Sequence, residues 1–380
     1  MNSYNFIREV KKIKITNIIY MGFAFRFAVS LYNHFYLLPM AADDAIRFHN
    51  SAVQKLSSLS FLDNLSGGWI YSSFLALIYY FTTPSILIAS ISSCVLWIIS
   101  AFVLIKIFNL LNFSNANKQI GLLAYSFMPA SIIFNSIALR ESSELLIINA
   151  YILCLILIIK NNKYTYLPIP FLLSALIFFF HKGLIIFMLF SIIFFAVFLF
   201  TKITNYFFKN KILFLDFFFA SAALFVFIIL SLDLLGIASI GYLFDFLATN
   251  ISDHHVNVPI SRTTYLYTTG IENLFTHMLS SVFFYFFSPM HYYIENFYDF
   301  VLYLENIARL ILLGLVLNNF FYHKKNSQIF IILFLIYIGL EIMWAVGTAN
   351  WGSASRHHVV SYGLLVILAC FKNFTKLTEK

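Results

Sequence analysis

Two carboxylates, a guanidinium and an imidazole stand close together at Asp43, Asp44, Arg47 and His49, directly after an apolar stretch ending near Leu38. A carboxylate at such a water boundary can accept a proton from a hydroxyl or ligate a divalent cation, since its oxygens suit both tasks. The blander role is structural: Asp43 or Asp44 as the N-cap of a helix beginning near Ala45. A second group, Arg140, Glu141 and Glu144, closes one apolar run and opens the next. Charges this near hydrocarbon are costly unless paired or used, and Arg140 and Glu144, four apart, would share a helix face and neutralise one another. His181 and Lys182 occupy a tight turn between two apolar runs, where Lys182 would either meet a lipid phosphate or snorkel as a helix-end anchor. Asp253, His254 and His255, with Arg262 beyond them, invite a metal reading, but adjacent histidines without further ligands at helical spacing are a weak signal. The last group holds Arg356, His357 and His358 ahead of an apolar run, Val359 to Phe371. At ~1.5 Å per residue that run covers about 20 Å of a hydrocarbon core about 30 Å thick. Unless its helix starts earlier, Arg356 is drawn into the membrane boundary, where Arg356 and His357 would hold a phosphate or diphosphate.

The elements that must position these groups are membrane helices. Hydrophobic residues make up 61% of the chain and charged ones 11%, with 47 Phe in 380 residues, against roughly 25% charged in a soluble domain. No water-soluble fold hides that much apolar surface. Candidate spans are Ile15 to Leu38, Ser85 to Phe108, Ile120 to Leu139, Glu144 to Ile159, Tyr166 to Phe180, Gly183 to Phe200, Ile212 to Leu235, Val301 to Phe321, Ile329 to Val346 and Val359 to Phe371. Trp69 to Phe81 and Leu274 to Phe287 are shorter and aromatic-rich, which suits interfacial or re-entrant segments. The expected fold is therefore all-α: a single polytopic transmembrane bundle of about ten spans, within a range of about 9–12. Two outer loops, 39–84 and 236–297, carry the short helices. Cys94, Cys154 and Cys370 all fall in apolar runs and read as small core residues. The basic segment Arg8 to Lys14 lacks a small-residue cleavage site after it, so the first helix is expected to be retained in a bacterial inner membrane.

The net charge of +8 bears on topology, and no basic stripe on a soluble module points to nucleic acid. With both termini cytoplasmic, the inner loops receive Arg8, Lys11, Lys12, Lys14, Lys106, Lys118, Lys160, Lys163, Lys202, Lys209, Lys211, Lys324, Lys325, Lys372, Lys376 and Lys380. Those are nearly all Lys. The remainder, Arg26, Arg47, Lys55, Arg140, Lys182, Arg262, Arg309 and Arg356, are mostly Arg, whose planar fork grips phosphate or carboxylate bidentately. Simple pairing with acids such as Asp43, Glu141 or Glu305 is the alternative for each.

The layout resembles the membrane-embedded, lipid-carrier-dependent glycosyltransferases of the GT-C type: a first span, an outer loop opening with acids, an interfacial segment, then a span containing Met128-Pro129-Ala130 and capped by charges. The Phe/Ile-rich composition, Ala138-Leu139-Arg140-Glu141, Phe287-Ser288-Pro289 with Leu304-Glu305-Asn306, and Gly352-Ser353-Ala354-Ser355-Arg356-His357 are similar to proteins of bacterial surface-polysaccharide loci, including O-antigen and capsule repeat-unit polymerases. The resemblance covers most of the chain in layout and few residues in identity. It implies transfer of a saccharide from a polyprenyl-phosphate or diphosphate carrier to an acceptor glycan on the periplasmic side, among membrane lipids and other polysaccharide-assembly proteins. Asp43 or Asp44 would be the base or a metal-linked carboxylate, with Glu141 and His49 as further proton-handling groups. Arg47, Arg140, Lys182, Arg262, Arg356 and His357 would neutralise the departing phosphate. A divalent cation is the one cofactor these carboxylates would take. The chain departs from the pattern in lacking an oligosaccharyltransferase signature, and among its arginines only Arg262 lies deep in a large outer loop. A flippase of lipid-linked saccharide and a membrane O-acyltransferase are the rival expectations; no internal repeat of spans favours the former.

Overall fold

The computed structural model describes residues 14–38, 42–61, 69–161, 164–181, 184, 187–188, 191–192, 274–323 and 328–371. The described chain is a bundle of α-helices. α1 runs Ile15–Phe35, α2 Ala42–Ser57, α3 Trp69–Phe81, α4 Ile86–Leu110, α5 Asn115–Phe127, α6 Pro129–Phe134, α7 Glu141–Asn161 and α8 Pro168–Phe180. After the segment outside the described residues come α9 Leu274–Phe287, α10 Phe297–His323, α11 Gln328–Val346 and α12 Trp351–Ala369. Five of these, α1, α4, α7, α10 and α11, are long and apolar enough to cross a membrane. The expected spans Gly183 to Phe200 and Ile212 to Leu235 lie outside the described residues, apart from isolated positions of the first.

Two expected spans are corrected. Ile120 to Leu139 is not one helix. Pro129 has no amide hydrogen to donate and its ring obstructs the preceding turn, so α5 stops at Phe127 and α6 begins at Pro129. Residues 135–140 then leave the helix. The last helix does not begin at Val359. Asn350 caps α12, its side-chain oxygen accepting from Ser353 N at 2.7 Å. The resulting 19 residues rise about 28 Å, close to a full hydrocarbon crossing. Arg356 and His357 thus sit inside the helix, in its second turn, not in a loop before it.

The break at Pro129 frees backbone groups inside the bundle, where each unmet group is costly. Both sides are served. Arg26 of α1, fully buried, donates to Ser126 O at 2.9 Å and to Ser131 Oγ at 2.7 Å, with its guanidinium 3.5 Å from the Trp97 ring centroid. On the other side Glu305 of α10 accepts from Ala130 N and from Tyr362 Oη of α12. Arg309 and Asn306 act in the same way at the end of α9, taking the carbonyls of Phe286 and Phe287. Arg26 and Arg309 therefore close helix ends.

Close helix crossings depend on small residues, as expected where packing replaces the hydrophobic effect. A Cβ at Gly363 of α12 would overlap the side chain of Asn149 of α7. That amide cannot easily move away, because its nitrogen donates to Ser100 Oγ at 2.8 Å and Tyr125 Oη at 3.2 Å.

The two ends of the bundle differ chemically. One gathers the end of α4, the starts of α5 and α11 and the ends of α7 and α12: Lys160 Nζ donates to Leu110 O, and Phe371 packs on Phe113 and Phe330. There Asn117 and Asn319 take the final α12 carbonyls, from Leu368 to Cys370, at 2.9 Å. Asp44, Arg47, Arg140, Glu141, Glu144 and Arg356 lie at the opposite end.

Candidate functional site

At that opposite end α2, α7 and α12 meet through Arg356. Its Nη1 donates to Asp44 Oδ2 and its Nε to Glu141 Oε1. These partners come from positions 312 and 215 residues away, so the chain's first polar cluster, its second and its last form one unit. Asp44 Oδ1 also accepts from Arg47 Nη2 at 2.6 Å, across one turn of α2. Arg140 stands just before α7, its Nε 3.3 Å from Glu144 Oε1. Its Nη1 donates to Phe180 O at the end of α8, 3.1 Å away, where the helix dipole favours a cation. Three carboxylates thus face three guanidiniums, graded in access: Glu141 and Glu144 are buried, Arg140 and Arg356 nearly so, and Arg47 is 62% exposed.

Asp43 and Asp44 are not N-caps. α2 starts at Ala42, before the expected Ala45, which places both in its first turn, where a negative charge meets the positive end of the helix dipole. Burial raises the Asp44 pKa, but the adjoining Arg356 guanidinium, with Arg47 and Arg140, outweighs it and holds the carboxyl below its ordinary value. Asp43 is exposed and has no hydrogen-bond partner among the described residues. His49 turns away from the cluster: its Nδ1 lies 2.8 Å from Tyr79 Oη of α3, and burial lowers its pKa. Burial thus favours its neutral imidazole form.

His357 borders the cluster on the α11 side. Its ring stacks on Trp344 at 4.0 Å between centroids, and its Nδ1 is 3.0 Å from Thr348 Oγ1. His181 packs edge-on against Trp344 at 4.3 Å. Burial first, then Arg140 and Arg356, push its imidazole well down, so it is an uncharged neighbour of two arginines. Lys182 and Arg262, like Asp253, His254 and His255, lie outside the described residues. Among the described residues no three His, Cys, Asp or Glu side chains converge as a metal-holding group; the cation that bridges Asp44 and Glu141 is Arg356 itself.

A second buried polar group lies deeper, among α9 to α12. His358 Nδ1 is 2.7 Å from Glu341 Oε2 and its Nε2 is 3.1 Å from Tyr285 O, while Ser361 Oγ donates to Glu341 Oε1. Sequence reasoning missed Glu341, Trp344 and Thr348. The signal for Glu341 was present: it is the one acid inside the apolar run 328–346, and a buried acid in a membrane helix implies a partner. His358 offered no comparable signal, because only the fold shows that it faces Glu341 while its neighbour His357 faces Trp344. No protein-family model, curated protein or solved structure matches this chain.

Proposed function

We propose that this chain is a membrane-embedded glycosyltransferase of GT-C type, moving a saccharide from a polyprenyl-phosphate or diphosphate carrier to an acceptor glycan. In this reading about ten spans cross a bacterial inner membrane, and the two short helices α3 and α9 rest at its periplasmic surface. The observation that supports it is the bridge from Arg356 to Asp44 and Glu141, which joins acid and guanidinium clusters at one membrane boundary. In the reaction the acceptor oxygen bonds to the anomeric carbon, the carbon–oxygen bond to phosphate breaks with its electron pair on phosphate, and the hydroxyl proton passes to a carboxylate. That chemistry asks for orientation, one base and fixed positive charge.

The ion pairs divide the roles. Arg356 is held by two carboxylates through Nε and Nη1 and serves as a positioning residue, fixing Asp44 and Glu141. The leaving phosphate is assigned to Arg47, the most exposed guanidinium among the described residues, and to Arg140. Asp44, with both oxygens held by arginine and its pKa lowered, is a poor base, so the proton goes to Asp43, which has no partner among the described residues. The test is complementation of a deletion strain, reading polymer length on the cell surface. Asp43→Asn and Arg47→Ala are expected to lose long chains while protein levels in the membrane hold; wild-type polymer from both variants would remove the reading.

One observation favours transport of a lipid-linked saccharide as a second reading. Glu305, Arg309, Glu341 and His358 are buried ionisable groups within α10, α11 and α12, of the kind that coupled transporters use. The same strain separates the two: carrier-linked units retained on the cytoplasmic side indicate transport, and units exported but not joined indicate transfer.

A further inference from the structure

Beside the ion-pair cluster, α2 and the start of α3 enclose an open groove of about 480 Å³ lined by Asp43, Ile46, Arg47, Asn50, Ser51, Gln54 and Trp69. Its size falls within the ~300–1,000 Å³ of small-molecule sites. The lining has a definite chemistry. Asp43, Arg47, Asn50 and Gln54 recur at helical spacing along the exposed face of α2, whose opposite face buries Ala45, Phe48 and Ala52 against the bundle. The Asn50 and Gln54 side chains have no partner among the described residues, so each presents both donors and acceptors to the groove. Trp69 adds an indole 40% exposed, although the other three tryptophans, Trp97, Trp344 and Trp351, are at most 4% exposed.

An exposed indole next to paired donors and acceptors matches a ligand with an apolar C–H face and a rim of hydroxyls. The alternatives fit less well. Asp43 offsets Arg47 in the lining, so the groove lacks the excess positive charge that a phosphate head group would call for. Ile46 and Trp69 alone make too small an apolar patch for a protein helix. We infer that this groove is a saccharide subsite, holding a sugar ring of the acceptor glycan on Trp69 with Asn50 and Gln54 reading its hydroxyls. The word acceptor rests on the glycosyltransferase reading; saccharide binding does not. The placement is consistent with that reading, since Asp43 and Arg47 line the groove and Arg47 leads through Asp44 to Arg356.

The full-length protein in phosphatidylcholine nanodiscs tests this by tryptophan fluorescence, since Trp69 is the indole open to acrylamide. The probe is the oligosaccharide mixture released by mild acid from the surface polysaccharide of the source cells. Added oligosaccharide is expected to protect Trp69 from acrylamide and to shift its emission, with saturation. Asn50→Ala with Gln54→Ala, which keeps the reporter, should weaken that binding at least tenfold. No protection in the wild-type protein, or protection unchanged in the double variant, overturns the proposal. So does protection produced by replacing phosphatidylcholine with phosphatidylglycerol alone, which would assign the groove to lipid head groups. If oligosaccharide binds as expected but Asp43→Asn and Arg47→Ala still make long polymer, the subsite stands and the transferase reading falls.

Discussion

Among the described residues Arg356 carries both inter-helix ion pairs at the site, so its removal leaves Glu141 without its ion-pair partner and Asp44 with Arg47 alone. Taking one partner from a largely buried pair costs roughly 3–5 kcal/mol. Arg356→Ala is therefore expected to lower thermal stability in detergent by that order, whereas Arg356→Lys, with one charge and no fork, should recover only part. A double-mutant cycle between Arg356→Gln and Asp44→Asn should show coupling of about 1–3 kcal/mol; additive effects would mean that the two do not interact in solution. The pair also sets a pH signature. Because the folded Asp44 carboxyl titrates below its ordinary value, its contribution is complete above the unfolded value of ~3.9 and is lost as pH falls below that toward the folded value. The stability gap between wild type and Asp44→Asn should accordingly be constant between about pH 5 and 7 and close on acidification below ~3.9. A gap that widened instead would contradict the assigned ion pair. At this scale the sequence was informative about membership and about one local pair, Arg140 with Glu144, and silent about partners from distant helices. Asp44, Arg140, Glu141 and Arg356 stood out because charges beside apolar runs are conspicuous. That Arg356 would reach Asp44 and Glu141 could not be read, since it depends on how α2, α7 and α12 cross.

At the scale of helices, apolar length located most elements and polar punctuation set their ends. The last helix shows the difference. Hydropathy alone puts its start at Val359, but Asn350 with Ser353 three residues on is an N-cap signal, and α12 begins at Trp351. Pro129 was equally legible as a breaker; what was not legible is that Arg26 and Glu305 from distant helices complete the backbone it frees. The Gly363 crossing gives a test at this scale. Gly363→Ala should cost about 1–3 kcal/mol through overpacking, seen as a lower melting temperature, and Asn149→Ala added to it should return part of the loss. If Gly363→Ala is as stable as wild type, α7 and α12 do not approach as closely as described.

For the whole molecule, the separation of a lysine-bearing end from an acid-and-arginine end predicts accessibility. Cys94, Cys154 and Cys370 are buried, so background labelling of the native chain by a membrane-impermeant maleimide should be low. Single cysteines at the exposed positions Asn50 and Asn112 should then react from opposite sides of the membrane. Labelling of both from one side would contradict the bundle's orientation and, with it, the site. Composition alone established that the chain is helical and membrane-like, because 61% hydrophobic residues leave few other solutions. Which helices neighbour one another was beyond it, since one Phe/Ile-rich surface looks much like the next.

All but three of the 19 residues of α12 are buried, and it supplies partners for buried acids on three other helices: Arg356 for Glu141, Tyr362 for Glu305, and His358 with Ser361 for Glu341. Every other described helix precedes it in sequence. Those three acids are therefore made before the α12 side chains that meet them, and a chain without α12 would leave them without those partners. A nascent chain stalled before Trp351 would lack all of these partners and would be a natural target for the cell's membrane quality-control proteases.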